Sequence, residues 1–207
     1  MSARHERRRG ARAVEATRRE APRAVYDDVR GRIRTGDVLL FRGRTLFSRA
    51  IRLMTGSIYS HVAIAAWWAD HLVVFESRRQ GGVRVRPLRR ALRGYDGQVD
   101  WWALRPDVAA RLDPKALLHR AVGEVGKPYA IRGVLALAWR LVAGRLAGSG
   151  DAVSLPQALF CSQYVSLCFR EANVDLAPDV EDACTSPGAI ARSGLLELKA
   201  VLRRAPG

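Results

Sequence analysis

The run SHVAIAAWWADHLVVFES, residues 60 to 77, sets two apolar, β-rich segments on either side of Ala69 and Asp70, the form of a β-hairpin with a two-residue loop. Such a loop fixes the register: Trp68 pairs with His71, and the rest of the ladder follows from that pair. A slip of one residue would carry every side chain to the other face. With the loop in place, His61 is in phase with Ala63 and Ala65, and Glu76 lies opposite Ala63. His61 and Glu76 are then diagonal neighbours on one face, roughly 7 to 8 Å apart at the backbone, a gap that two long side chains can close.

The segments around the hairpin extend it into a sheet. TGDVLLFRG reads as a turn at Gly36 and Asp37 followed by a short buried strand; GGVRVRPL alternates valine with arginine, a strand with one wet face; VDWWALRP reads as another. LFSRAIRLMTG has helical spacing and stops at Gly56. From Asp113 the period becomes helical: DPKALLHRAVGEVG opens with an Asp cap and Pro at the first helical position. Further helices are expected over RGVLALAWRLVAG and PQALFCSQYVSLCFREAN, and a short one at SPGAIARSG. The fold class is α+β, an antiparallel sheet of four or five strands packed against helices. At 207 residues there is room for one sizeable core.

Residues 1 to 32 read separately, as an arginine-rich arm, disordered or helical, with the folded domain over 33 to 207. Eleven arginines fall within the first 34 residues, and the net charge is +15. Such a charge suits an anionic partner, but arginines spread along the whole chain also fit a solvated surface: the arm reads first as a solvated segment and second as a contact with an anionic membrane surface. No nucleic-acid motif accompanies it, so no specific nucleic acid is expected. No apolar run approaches the ~18 residues of a membrane span, and the charged start lacks the apolar stretch of a signal peptide. Three cysteines without close spacing form neither a disulfide framework nor a zinc pattern, so a cytoplasmic location, peripheral to the membrane, is expected with no cofactor.

In ALFCSQYVSLCF, Cys161 and Cys168 share one helical stripe with Val165 and Phe169. A helix that begins near Cys161 would place this thiol in its first turn, where open N–H groups favour a thiolate, while Cys168 would sit two turns deeper among apolar side chains. Of the histidines, His61 alone opens an apolar strand with small residues beside it. A cysteine, a histidine to take its proton and a carboxylate to orient the imidazole have the logic of an activated thiol. A metal site would need a further ligand, which nothing supplies at useful spacing.

GDVLLFRG, SHVAIA, VFES, GKPY and FCSQYVSLCF together resemble the circularly permuted branch of the NlpC-type papain-like cysteine hydrolases, the YiiX-like group. The resemblance spans roughly residues 34 to 193. It implies Cys161 as nucleophile, His61 as general base, Glu76 as orienting group and Tyr129 lining the site, and it leaves Gln163 where many relatives carry an acid. It further implies a cysteine hydrolase or acyltransferase that works through an acyl-enzyme on an amide of a cell-wall-type peptide or on a lipid acyl ester. The alternative is a catalytically silent binding module that uses its basic surface on anionic membrane or nucleic acid. The oligomeric state is not encoded in any feature of the sequence.

Overall fold

The computed structural model describes residues 3–78, 81–127, 156–178 and 185–203. Its elements run in chain order as α1 (Ala3–Glu20), β1 (Arg23–Val25), α2 (Tyr26–Val29), β2 (Val38–Gly43), α3 (Leu46–Thr55), β3 (His61–Trp68), β4 (His71–Arg78), β5 (Gly82–Pro87), α4 (Leu88–Arg93), β6 (Gly97–Leu104), α5 (Pro106–Ala109), α6 (Pro114–Gly123), α7 (Pro156–Glu171), α8 (Pro187–Arg192) and β7 (Leu196–Arg203). The helix expected over residues 132 to 144 lies outside the described residues.

The class is α+β, built on a seven-stranded sheet ordered β1-β7-β6-β2-β3-β4-β5. The sheet is larger than the four or five strands expected, and it is mixed. β7 pairs antiparallel with β6, and β1, from the end of the arm, pairs parallel with β7. Residues assigned to the arm thus belong partly to the sheet layer, and Tyr26 and Val29 just beyond β1 are buried.

The central hairpin has the register its loop requires. Trp68 pairs with His71, and Ile64 with Phe75. Ala69 takes φ 47°, the left-handed value that lets a two-residue loop follow the strand twist. Paired register between β3 and β4 runs only from Ile64–Phe75 to the turn, so residues 61–63 and 76–78 are not paired with one another. There β3 is held by β2, and β4 by β5.

Both faces of the sheet are buried. Val62, Ile64, Val73 and Phe75 pack with Val165, Cys168 and Phe169 of α7, while Ala63, Ala65, Leu72 and Val74 pack with α2 and α4. The α7 layer also takes in Val14 of α1 and Leu117 of α6. α6 starts as its sequence directs, with the Asp113 carboxylate accepting from the Lys115 and Ala116 N–H groups and Pro114 in the first turn.

α1 realises the helical option for the arm, and it packs against α8 and β7. Its attachment is polar: Arg18 is buried, with its Nε donating to the Asp100 carboxylate at 2.6 Å.

Candidate active site

Where β3 and β4 part, at the end of the hairpin away from its turn, the structure brings two of the three expected site residues, His61 and Glu76, into direct contact. His61 is the first residue of β3 and Glu76 lies near the end of β4. Strand alternation puts both on the face shared with Ala63, Ala65 and Val74. The His61 Nε2 stands 2.9 Å from Glu76 Oε2, and the ring packs on Phe41 with centroids 5.1 Å apart.

Cys161 approaches from the other layer. Its helix α7 lies across β3 and β4, and the side chain is 1% exposed. The sulfur accepts from the backbone N–H of Val62, the amide that joins His61 to Val62, and from the N–H groups of Ser162 and Cys161 itself. Because α7 begins at Pro156, Cys161 falls in its second turn and not in the first, as expected from the sequence. Burial therefore decides the thiol's state: it pushes the pKa of Cys161 up to about 11, against the backbone N–H groups of Val62, Ser162 and Cys161 and the Ser162 side chain, which favour the thiolate. Cys168 is a core thiol beside Tyr164, and burial raises it to about 12. Neither cysteine forms a disulfide. Tyr129 and Cys184 lie outside the described residues, and Gln163 is half-buried on α7.

Glu76 has no exposed surface and holds more than a histidine. Arg78 donates its Nε to Oε2 at 2.9 Å, Arg84 donates two N–H groups to Oε1 at 3.1 and 2.9 Å, and Arg86 pairs with Oε1 at 2.9 Å. The alternation of GGVRVRPL looked like a wet face, yet two of these arginines stand half-buried on a carboxylate while Val85 is exposed. The signal that could have found them is the β4–β5 register, which sets Arg84 directly opposite Glu76.

Burial alone would raise the Glu76 pKa, but the hydrogen bond from His61 and the charges of His61, Arg78 and Arg86 outweigh it and hold the carboxyl well below the usual range. For His61, burial lowers the pKa, the Glu76 hydrogen bond and charge oppose this, and Arg78 and Arg86 lower it further, so the net direction is downward. The pair at neutral pH is a carboxylate and a neutral imidazole. An ionised carboxylate only accepts, so Nε2 carries the proton and Nδ1 keeps its lone pair. The arrangement can take a proton at Nδ1 and stabilise the imidazolium that results. Among the described residues no group of three or more His, Cys, Asp or Glu side chains could hold a metal ion.

Residues 32–133 match a family described as permuted papain-like amidase enzymes of the YaeF/YiiX, C92 family. The matched segment contains His61 and Glu76 and ends before Cys161. Among solved structures, the chain is similar to that titled metalloprotein YiiX from Escherichia coli O157:H7, with 24% identity and a TM-score of 0.48 over 70% of this chain and 69% of that one. No curated protein matches the chain.

Proposed function

From the premise that this chain belongs to the circularly permuted papain-like family, whose described members are amidases, we propose that it is a cysteine hydrolase in which Cys161, His61 and Glu76 cleave an amide bond through an acyl-enzyme. The observation that carries this reading is the His61–Glu76 contact of 2.9 Å beside the peptide whose N–H faces the Cys161 sulfur.

The steps follow from the protonation states. The Cys161 thiol gives its proton to Nδ1 of His61 as the sulfur attacks the substrate carbonyl carbon. The new imidazolium is held by Glu76 through Nε2–H. The tetrahedral intermediate carries its negative charge within reach of the N–H groups of Val62, Ser162 and Cys161 that already face the sulfur. Collapse breaks the C–N bond, and the imidazolium returns the proton to the departing amine. Water, deprotonated by the same imidazole, then attacks the thioester and releases the acid and the thiol. Attack by an alcohol or amine in place of water gives acyl transfer with the same residues.

Cell-wall-type peptides supply the amides we favour as substrates over lipid acyl esters, because amide chemistry is what the family description names. The test is hydrolysis of a set of short amide substrates, with the acyl-enzyme trapped by acid quench and weighed by mass spectrometry. The acyl mass should sit on Cys161. Cys161→Ser and His61→Ala should each lower kcat/KM by about a thousandfold or more while the protein stays folded. Full activity in Cys161→Ser, or an acyl group on another residue, refutes the assignment.

A further inference from the structure

The end of α1, the end of β2 and α3 converge on one open cavity of about 750 Å³. Arg19, Arg23, Arg42, Arg44, Arg49 and Arg52 line it, and Glu15 is the one carboxylate in the lining, 2.7 Å from Arg42 and 3.7 Å from Arg19. Arg52 shows the cost of that crowding. Burial lowers its pKa, the charges of Arg42 and Arg49 lower it further, and its buried Nε meets no acceptor among the described residues. Gathered cations repel one another, so the arrangement lacks the negative charge that would complete it.

α3 adds a second chemistry beside this cavity. The apolar residues of LFSRAIRLMTG do not all turn inward: Ile51 is buried, whereas Leu46 is 81% and Leu53 83% exposed, with Ala50 exposed between them on the same helical face. A soluble phosphate needs the arginines alone, and a nucleic acid would use them with a series of stacking aromatics, where α3 exposes the ring of Phe47 between two far more exposed leucines. A bilayer with anionic headgroups uses arginines on its phosphates and aliphatic side chains at the acyl boundary together. Among the described residues no helix is long and apolar enough to cross a membrane, so the contact these features suit is one made on the surface.

We propose that α3 and the arginine cavity form a docking surface for an anionic phospholipid bilayer, with Leu46 and Leu53 entering the interface and lipid phosphates taken by the arginines. α3 ends at Thr55 and β3 begins at His61, so one short loop separates the docking helix from the candidate active site.

The test is co-sedimentation of the full chain with vesicles of phosphatidylcholine alone, or of phosphatidylcholine with one third phosphatidylglycerol, at low and high salt. The chain should partition to the anionic vesicles only, and less at high salt. Arg44→Gln with Arg49→Gln should weaken partition by about 25-fold, since each arginine near such a surface contributes roughly fivefold. Leu46→Ser with Leu53→Ser should weaken it by about tenfold or more. All four side chains are exposed, so unchanged thermal midpoints should accompany both losses. Cys161→Ser should bind as the parent does, which separates this inference from the catalytic one. Absence of partition to anionic vesicles at low salt overturns the proposal, as does equal binding to neutral vesicles. RNA binding that the leucine pair leaves untouched, without vesicle binding, would assign the cavity to nucleic acid. A dimer dissolved by the leucine pair, again without vesicle binding, would assign α3 to a second copy.

Discussion

His61 Nε2 and Glu76 Oε2 stand 2.9 Å apart across a hairpin whose strands are not paired at that point, and the carboxylate that orients the imidazole is itself gripped by Arg78, Arg84 and Arg86. One buried negative charge therefore serves the proposed catalytic pair and compensates three cations. Glu76→Gln removes the charge and keeps the shape. It should lower kcat/KM by roughly a hundredfold, less than His61→Ala, which removes the base itself. It should also cost about 3 to 5 kcal/mol in denaturant unfolding, because the guanidiniums lose their counter-charge. Unaltered kcat/KM with intact folding would remove Glu76 from the mechanism.

The thiol should be protonated at rest. Burial holds Cys161 up to about 11 and lowers His61, so the proton stays on sulfur until substrate arrives. Alkylation by iodoacetamide, followed site by site by mass spectrometry, should climb through the alkaline range without levelling near neutrality. Cys161 should stay ahead of Cys168, whose thiol is raised to about 12. A plateau already reached below about pH 7 would mean a standing thiolate–imidazolium pair, against the electrostatics described above.

The hairpin is legible because a two-residue loop leaves a single register, and that register alone brings His61 and Glu76 to one face. Cys161 was legible as a residue but not in its setting: the helix expected over PQALFCSQYVSLCFREAN does start at Pro156, which sets the thiol in its second turn, buried, and not in the first. The arginines on Glu76 were misread, because alternation reports which residues share a face and not what stands opposite. β7 does carry a strand signal: Leu196, Leu198, Ala200 and Leu202 alternate with charged residues and Val201. The arm was harder. Its inward face is Val14 and Arg18, one turn apart, and a buried arginine looks like any other in an arginine-rich helix.

Acid should weaken the fold in two stages. His61 has a folded pKa below its ordinary 6.5, so the unfolded chain binds a proton first and stability declines as pH falls from about 6.5 toward the folded value. Glu76 has a folded pKa below 4.5. Its contribution is complete above that value and is lost as pH falls toward the folded one. Cys161 acts on the alkaline side: with the folded pKa raised from 9.0 to about 11, its contribution is complete below 9 and declines as pH rises between the two. Denaturant midpoints across this range should show the three regions, and His61→Gln should flatten only the first. A midpoint constant between about pH 6.5 and 5 would contradict the lowered His61.

Deleting the arginine-rich helix, which the sequence alone marks as dispensable, should damage the fold through one residue. Arg18 is 7% exposed and donates Nε to Asp100 Oδ2 at 2.6 Å and a second N–H to Gln98 at 2.7 Å. Tyr59, fully buried, donates its hydroxyl to the same Asp100 oxygen at 2.7 Å. Asp100 lies in β6 with no exposed surface, and burial raises its pKa against the pull of Arg18, so the carboxylate depends on that cation. Arg18→Met leaves a buried charge without its partner and should cost about 3 to 5 kcal/mol; Asp100→Asn strands the guanidinium and should cost a similar amount. Arg18→Met with Asp100→Asn removes both charges and should cost well under the sum, a coupling that urea unfolding of the four proteins measures directly. Removal of residues 1 to 20 should cost at least as much as Arg18→Met, and Asp100→Asn should recover part of that loss. Additive single effects, or a truncated chain as stable as the full one, would show that α1 rests on the sheet without holding it.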